Sequence, residues 1–80
     1  MVKKHKKTKY LFLRKIREEL GKKIIEIARS ANVSDLTWRK AEMGQEIGNV
    51  SWGKILIAVN KETTAQGGKK YTLGDLKKSY

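Results

Sequence analysis

The stretch that decides the fold is IARSANVSDLTWRKAEMG, residues 27–44. Before its centre, apolar residues recur at the spacing of one helix face and predict a helix over about 22–31. These residues are Ile24, Ile27, Ala28 and Ala31. Asn32 tolerates the left-handed backbone that ends a helix, and the Ser34 hydroxyl can cap the next one. The spacing therefore predicts two short helices joined through a tight three-residue turn, a helix-turn-helix.

The second helix of the pair is predicted over about 35–43, with Gly44 as its stop. Trp38 and Ala41 are spaced to form its inner face. Where the two helices cross, one residue must be small, and Ala28 meets that need. Val33 can fill the corner between them. A bulky residue in place of Ala28 is expected to overpack the crossing.

Further helices are predicted on both sides of this pair, over about 10–20, 51–60 and 73–79. The first ends at Gly21, the second is capped by Ser51 and the third by Thr72. Residues 61–70 lack apolar periodicity and are predicted to be a loop. The fold class is therefore all-α, a small bundle of four to five short helices in one domain over 10–79. The predicted core is Leu13, Ile16, Leu20, Ile27, Ala28, Ala31, Val33, Trp38, Ala41, Ile55, Leu56 and Val59.

Charge restricts the function. Nineteen Lys and Arg face eight Asp and Glu, which gives a net charge of +11, and residues 1–40 carry +9 of it, from thirteen basic and four acidic side chains. Residues 1–9 hold five lysines and no acid, and we expect them to be a disordered basic arm. Such a field attracts a polyanion to the N-terminal half, whether nucleic acid, a membrane surface or an acidic protein.

Several classes of function are disfavoured. The chain has no cysteine and one histidine, and it shows no phosphate-binding glycine loop, metal-ligand spacing or paired catalytic carboxylates. We therefore expect no enzyme, no cofactor, no metal and no small-molecule substrate. The near-apolar run 55–59 is far too short for a membrane span. Without a signal-peptide core, the chain is expected in the cytoplasm, associated with the nucleoid when it is bound to DNA.

Residues 27–44 resemble the helix-turn-helix of the lambda-repressor and Cro family. That family favours an aliphatic-Ala pair, a three-residue gap, Gly-Val-Ser, then an apolar residue and a Glu-x-Gly ending. The matching places hold Ile27-Ala28, Asn32-Val33-Ser34, Trp38 and Glu42-Met43-Gly44. The resemblance covers about residues 10–60. It departs from the family at Ile24, where glutamine is common, at Asn32 in place of glycine, and at the large Trp38.

The resemblance implies a docking geometry in which the helix 35–43 enters the major groove of double-stranded DNA. The residues it implies at base edges are Asp35, Leu36, Arg39 and Lys40. Asp35 can instead be a first-turn acid that stabilises the helix, and Leu36 can be a partly covered surface residue. Contacts to the DNA backbone are expected from Lys22, Lys23, Thr37 and Lys54, and from the arm lysines Lys3, Lys4, Lys6 and Lys7. The family also implies a structural ion pair between Arg17 and Glu42.

The sequence thus predicts a sequence-specific DNA-binding protein, a small transcriptional regulator. One short helix reads few base pairs, so a homodimer on a palindromic site is expected. Its contact is predicted in the less charged C-terminal half, through Trp52, Ile57, Leu73, Leu76 and Tyr80. Two alternatives stay open: an antitoxin-type or other protein-interaction module on the same fold, and an RNA-binding protein.

Overall fold

The computed structural model describes residues 10–79, which form five α-helices. They are α1 (Phe12–Glu19), α2 (Ile24–Ala31), α3 (Asp35–Glu42), α4 (Asn49–Ala65) and α5 (Leu73–Leu76). Within these residues there is no strand, only an isolated bridge between Leu11 and Ser79. None of these helices is both long and apolar enough to cross a bilayer. The predicted class, an all-α bundle of short helices, is confirmed.

The core lies where α2 packs against α3 and α4 and where α1 contacts α3 and α5. Its buried apolar residues are Leu13, Ile16, Ile27, Ala28, Ala31, Trp38, Ala41, Trp52, Ile55, Ala58, Val59 and Leu76. Three predicted core residues, Leu20, Val33 and Leu56, are only half-buried and pack at its margin. Each lies at the edge of its apolar stripe or in the turn, where helix packing leaves one side open to water.

The turn between α2 and α3 is built as the sequence predicts. Asn32 has left-handed backbone, with φ 59° and ψ 43°, and ends α2. The Ser34 hydroxyl accepts the Thr37 backbone N–H at 3.0 Å and so caps α3. Ala28 is fully buried, and its carbonyl accepts the Val33 N–H at 3.0 Å. These bonds close the corner and fix how α3 leaves α2.

Helix α4 is longer than predicted at both ends. It begins at Asn49, directly after the extended Gly48, so the prediction that Ser51 caps it is wrong. It continues to Ala65, so the predicted loop 61–70 begins too early. Gly67 has φ +79°, and the Gly67 and Gly68 N–H groups donate to the carbonyls of Thr64 and Thr63. This left-handed glycine closure satisfies the last carbonyls and ends the helix.

The other four helices are shorter than predicted. Helix α1 begins at Phe12 rather than at residue 10, because extended Leu11 donates its N–H to the Glu42 carbonyl at 2.8 Å. Helix α2 begins at Ile24 rather than at residue 22, and α3 ends at Glu42 rather than at residue 43. Helix α5 ends at Leu76 rather than at residue 79, since the chain turns there to pair with Leu11.

Two polar contacts hold the chain between α4 and α5. The Asn60 side-chain amide donates to the Tyr71 carbonyl at 2.9 Å, and its oxygen accepts the Tyr71 N–H at 2.7 Å. Thr72 caps α5 as predicted: its hydroxyl accepts the Asp75 N–H, and its own N–H donates to the Asp75 carboxylate at 2.9 Å. This backbone hydrogen bond is the main cause that holds the pKa of Asp75 below its ordinary value.

Candidate nucleic-acid interface

Helix α3 has two chemically different sides. Trp38, Ala41 and Glu42 are buried against the rest of the bundle. Leu36 is 60% exposed, Arg39 is exposed and Lys40 is half-buried, and helical spacing places these three on the side opposite the core. Of the predicted base-reading residues, three therefore share one outward face.

Asp35, the fourth predicted base-reading residue, is half-buried at the edge of that face. It is the first residue of α3, where a carboxylate lies near the partly positive helix N-terminus and stabilises it. Thr37 is half-buried on the opposite edge, and its hydroxyl oxygen accepts a hydrogen bond from the Ser34 hydroxyl at 2.9 Å. The Thr37 hydroxyl can still donate its own hydrogen outward.

The predicted ion pair between Arg17 and Glu42 is confirmed, and it belongs to a larger cluster. The Arg17 guanidinium donates to both carboxylate oxygens of Glu42, with Nη2 3.2 Å from Oε1. The Trp38 indole N–H donates to the same carboxylate at 2.7 Å. Arg17 Nη1 also donates to the Lys22 carbonyl at 3.0 Å. The cluster thus fastens the end of α3 to α1 and to the segment that leads into α2.

This cluster explains how a residue as large as Trp38 fits inside so small a bundle. The side chain is fully buried, and a buried indole N–H needs an acceptor. Glu42, one helical turn later, supplies it. Glu42 is itself 2% exposed, and its charge is balanced by Arg17. The Trp38 hydrogen bond was not predicted, although its i, i+4 relation to Glu42 is visible in the sequence.

At the start of α2, Lys23 is exposed and Lys22 is half-buried. The Lys23 backbone N–H donates to the Glu26 side chain at 2.8 Å, and among the described residues the exposed Lys23 side chain forms no ion pair. Lys22 Nζ lies 3.8 Å from a Glu62 carboxylate oxygen on α4. Both cations flank the N-terminus of α2, but the charge of Lys22 is partly neutralised by the Glu62 carboxylate.

A cleft of about 230 Å³ lies between α1 and α3 and extends the basic surface beyond the predicted residues. Its lining includes Arg14, Arg17 and Arg39, together with Tyr10 and Ile24. The Arg14 guanidinium carbon lies 3.9 Å from the centre of the Tyr10 ring. Arg14 was not among the predicted site residues, because nothing in the sequence relates the start of α1 to the end of α3.

The remaining predicted contacts lie elsewhere. Lys54 is exposed on α4, on the side of that helix turned away from its buried face. The arm lysines Lys3, Lys4, Lys6 and Lys7 lie outside the described residues. The predicted dimer surface is wrong for Trp52 and Leu76, which are 5% and 0% exposed within one chain. Leu73 is half-buried, Ile57 is 72% exposed, and Tyr80 lies outside the described residues.

Comparison with protein-family models, with curated proteins and with solved structures finds no match to this chain. The candidate interface therefore stands on the chemistry and arrangement of its own side chains.

Proposed function

We propose that this chain is a sequence-specific DNA-binding protein, a small transcriptional regulator of the lambda-repressor type, which places α3 in the major groove. One observation carries the proposal. Helix α3 turns Leu36, Arg39 and Lys40 outward, while buried Trp38 and Glu42 hold its other side. A helix that reads DNA needs this division, because its outer side chains must reach base edges from a fixed support.

The outward side chains suit base edges in different ways. Arg39 and Lys40 can donate to the O6 and N7 acceptors of guanine, and Leu36 can contact a thymine methyl group. Asp35 can accept from the cytosine amino group, but its place at the helix N-terminus gives it a structural use as well. We therefore assign base reading first to Arg39 and Lys40.

Backbone contacts would position this helix without reading sequence. Lys23, Thr37 and Lys22 are the candidates around α2 and α3, and Arg14 joins them because it shares the cleft with Arg39. The arm lysines and the net charge of +11 would add a long-range attraction to phosphate. We propose that the protein acts in the cytoplasm, bound to the nucleoid, and without catalysis.

Selection of bound duplexes from a random DNA library, at two salt concentrations, tests the proposal. We expect an enriched consensus, and a slope of log affinity against log salt of about −4 to −5 if roughly five phosphates are neutralised. Deleting residues 2–9 should flatten the slope. A parallel RNA library tests the RNA-binding alternative: enrichment of RNA without enrichment of DNA contradicts the proposal.

The role of Arg39 is tested on the selected site and on random DNA. Arg39→Ala should weaken binding to the selected site by about 1–3 kcal/mol and random DNA by less, because a base contact is lost. Lys61→Ala, which removes an exposed cation from α4, is the matched control and should change both affinities little. Equal losses on both DNAs would make Arg39 a phosphate contact and remove it from the reading set.

We further propose that two copies read a palindromic site, because eight residues of α3 span few base pairs. Burial of Trp52 and Leu76 removes two of the apolar residues predicted for the dimer contact, so assembly is expected on DNA rather than in free solution. Sedimentation of the protein with its selected site counts the subunits. A one-to-one complex on a site without two-fold symmetry would refute the dimer.

A further inference from the structure

The outer side of α4 carries an alternating row of apolar and basic side chains that the core does not use and that lies outside α3, the proposed reading helix. Of its members, only Lys54 is also expected from the sequence to contact the DNA backbone. The row consists of Val50, Lys54, Ile57 and Lys61, which we call the α4 stripe. Val50 is 73% exposed and Ile57 72%, and both lysines are exposed. Helical spacing places all four within a narrow band opposite the buried residues Trp52, Ile55 and Val59.

The charge of the α4 stripe is uncompensated. Within residues 10–79, neither Lys54 nor Lys61 forms an ion pair with a carboxylate. Glu62, the neighbour of Lys61, points to another side of α4 and lies near Lys22 instead. A second copy of the same stripe would bring lysines against lysines, so self-association through this side is disfavoured by charge.

The two aliphatic residues of the α4 stripe distinguish between three possible anionic partners: DNA, a lipid surface and an acidic protein. Val50 and Ile57 lie about 10 Å apart along the helix, with Lys54 between them. A DNA backbone offers anions, but its apolar surface is limited to sugar C–H groups beside the phosphates, which would cover little of two protruding aliphatic side chains. Binding in a lipid interface typically relies on a broader apolar face with aromatic or leucine side chains. An amphipathic helix with carboxylates between aliphatic residues matches both features of the stripe.

We propose that the α4 stripe is a docking surface for an acidic amphipathic helix of a partner protein. The partner's aliphatic side chains would cover Val50 and Ile57, and its Asp or Glu residues would pair with Lys54 and Lys61. This proposal does not rest on DNA binding, because the observations behind it concern the exposed residues of α4 and not the outward side chains of α3.

The test uses the full chain, ¹⁵N-labelled, and a synthetic helical peptide of about 18 residues with Leu and Glu alternating along one face. A scrambled peptide of equal charge is the peptide control. Amide shifts should concentrate in residues 50–61 and be absent with the scrambled peptide. Arg39→Ala should weaken DNA binding and leave peptide binding unchanged. The docking proposal and the DNA-binding proposal can therefore be refuted independently of each other.

Two variants separate the contribution of charge to peptide binding from that of apolar burial. The double variant Lys54→Glu with Lys61→Glu should weaken peptide binding at least about tenfold, because it turns two attractions into repulsions. Ile57→Ser should weaken it about fivefold through lost apolar burial. All three substituted positions are exposed, so thermal unfolding should change little.

The matched control is Lys69→Glu with Lys70→Glu, an identical charge change in the exposed segment after α4, which should alter affinity less than about twofold. Equal losses in the control and stripe variants would show attraction by net charge alone and overturn the proposal. Amide shifts that concentrate outside residues 50–61 would also overturn it. Stronger perturbation of the stripe by a DNA duplex, by phosphatidylglycerol vesicles or by self-association would overturn it as well.

Discussion

Removing the charge of Glu42 should destabilise the domain far more than removing the charge of another glutamate on its surface. Glu42→Gln keeps the shape of the side chain and leaves an oxygen that can accept from the Trp38 indole. It takes away the negative charge that balances Arg17, whose side chain is only 14% exposed. The guanidinium would then lie in the bundle without a carboxylate.

The expected magnitude follows from the burial of the pair. Breaking a buried ion pair by removing one partner costs about 3–5 kcal/mol. Arg17 keeps its bond to the Lys22 carbonyl and some contact with water, so we expect about 2–3 kcal/mol. A domain of this size typically has a free energy of unfolding of about 4–12 kcal/mol. The substitution should therefore remove a large part of the stability.

Urea unfolding followed by far-ultraviolet circular dichroism measures the change, with Glu18→Gln as the matched control. Glu18 pairs with Arg14 at 3.2 Å on the exposed side of α1, where the two side chains are 50% and 33% exposed. That pair should contribute less than about 0.5 kcal/mol. If the two Gln variants lose similar stability, the cluster around Glu42 does not hold α3 as we argue.

Three further outcomes follow from the turn and the caps. Ala28→Leu should cost about 1–3 kcal/mol or more in urea unfolding because its site is fully buried at the crossing of α2 and α3; an unchanged midpoint would show that the crossing has room. Asn32→Ala should cost about 1–2 kcal/mol at its φ of 59°, whereas Asn32→Gly should cost much less; equal losses would contradict the backbone argument. Because the pKa of Asp75 is lowered in the folded state, its stabilisation of α5 should be present above its unfolded pKa and fade as the pH falls through the folded pKa. The Thr72 amide shift should report this acid transition, and Asp75→Asn should abolish it.

The sequence predicted the helix-turn-helix well because each of its parts depends on residues that are close together in the sequence. Asn32 and Ser34 determine their own backbone and cap, and Ala28 and Trp38 follow from helical spacing. The end of α4 was missed because Thr63 is buried although it is polar, so the apolar stripe seemed to end at Val59. The glycine pair Gly67-Gly68 indicates the end of α4 more accurately than the apolar stripe does, because the helix ends at Ala65.

Contacts between distant segments were harder to predict. Trp52 and Leu76 seemed to be surplus apolar residues, because the sequence does not show that α5 folds back on α4 and buries both. The pairing of Lys22 with Glu62 was invisible while α4 was expected to end at residue 60. Arg14 reaches the α3 cleft only through the packing of α1. Such relations depend on tertiary geometry, which no single stripe encodes.

The pairing of Leu11 with Ser79 joins the two ends of the described chain and closes a loop of almost the whole domain. Closing so long a loop costs chain entropy, whereas α2 and α3 meet through contacts close in sequence. We therefore expect the helix pair to form early in folding and this closure to form late. Weakening a late contact accelerates unfolding and leaves the folding rate nearly unchanged. The junction of Leu11 with Ser79 would thus govern how long a folded molecule lasts, not how quickly it forms.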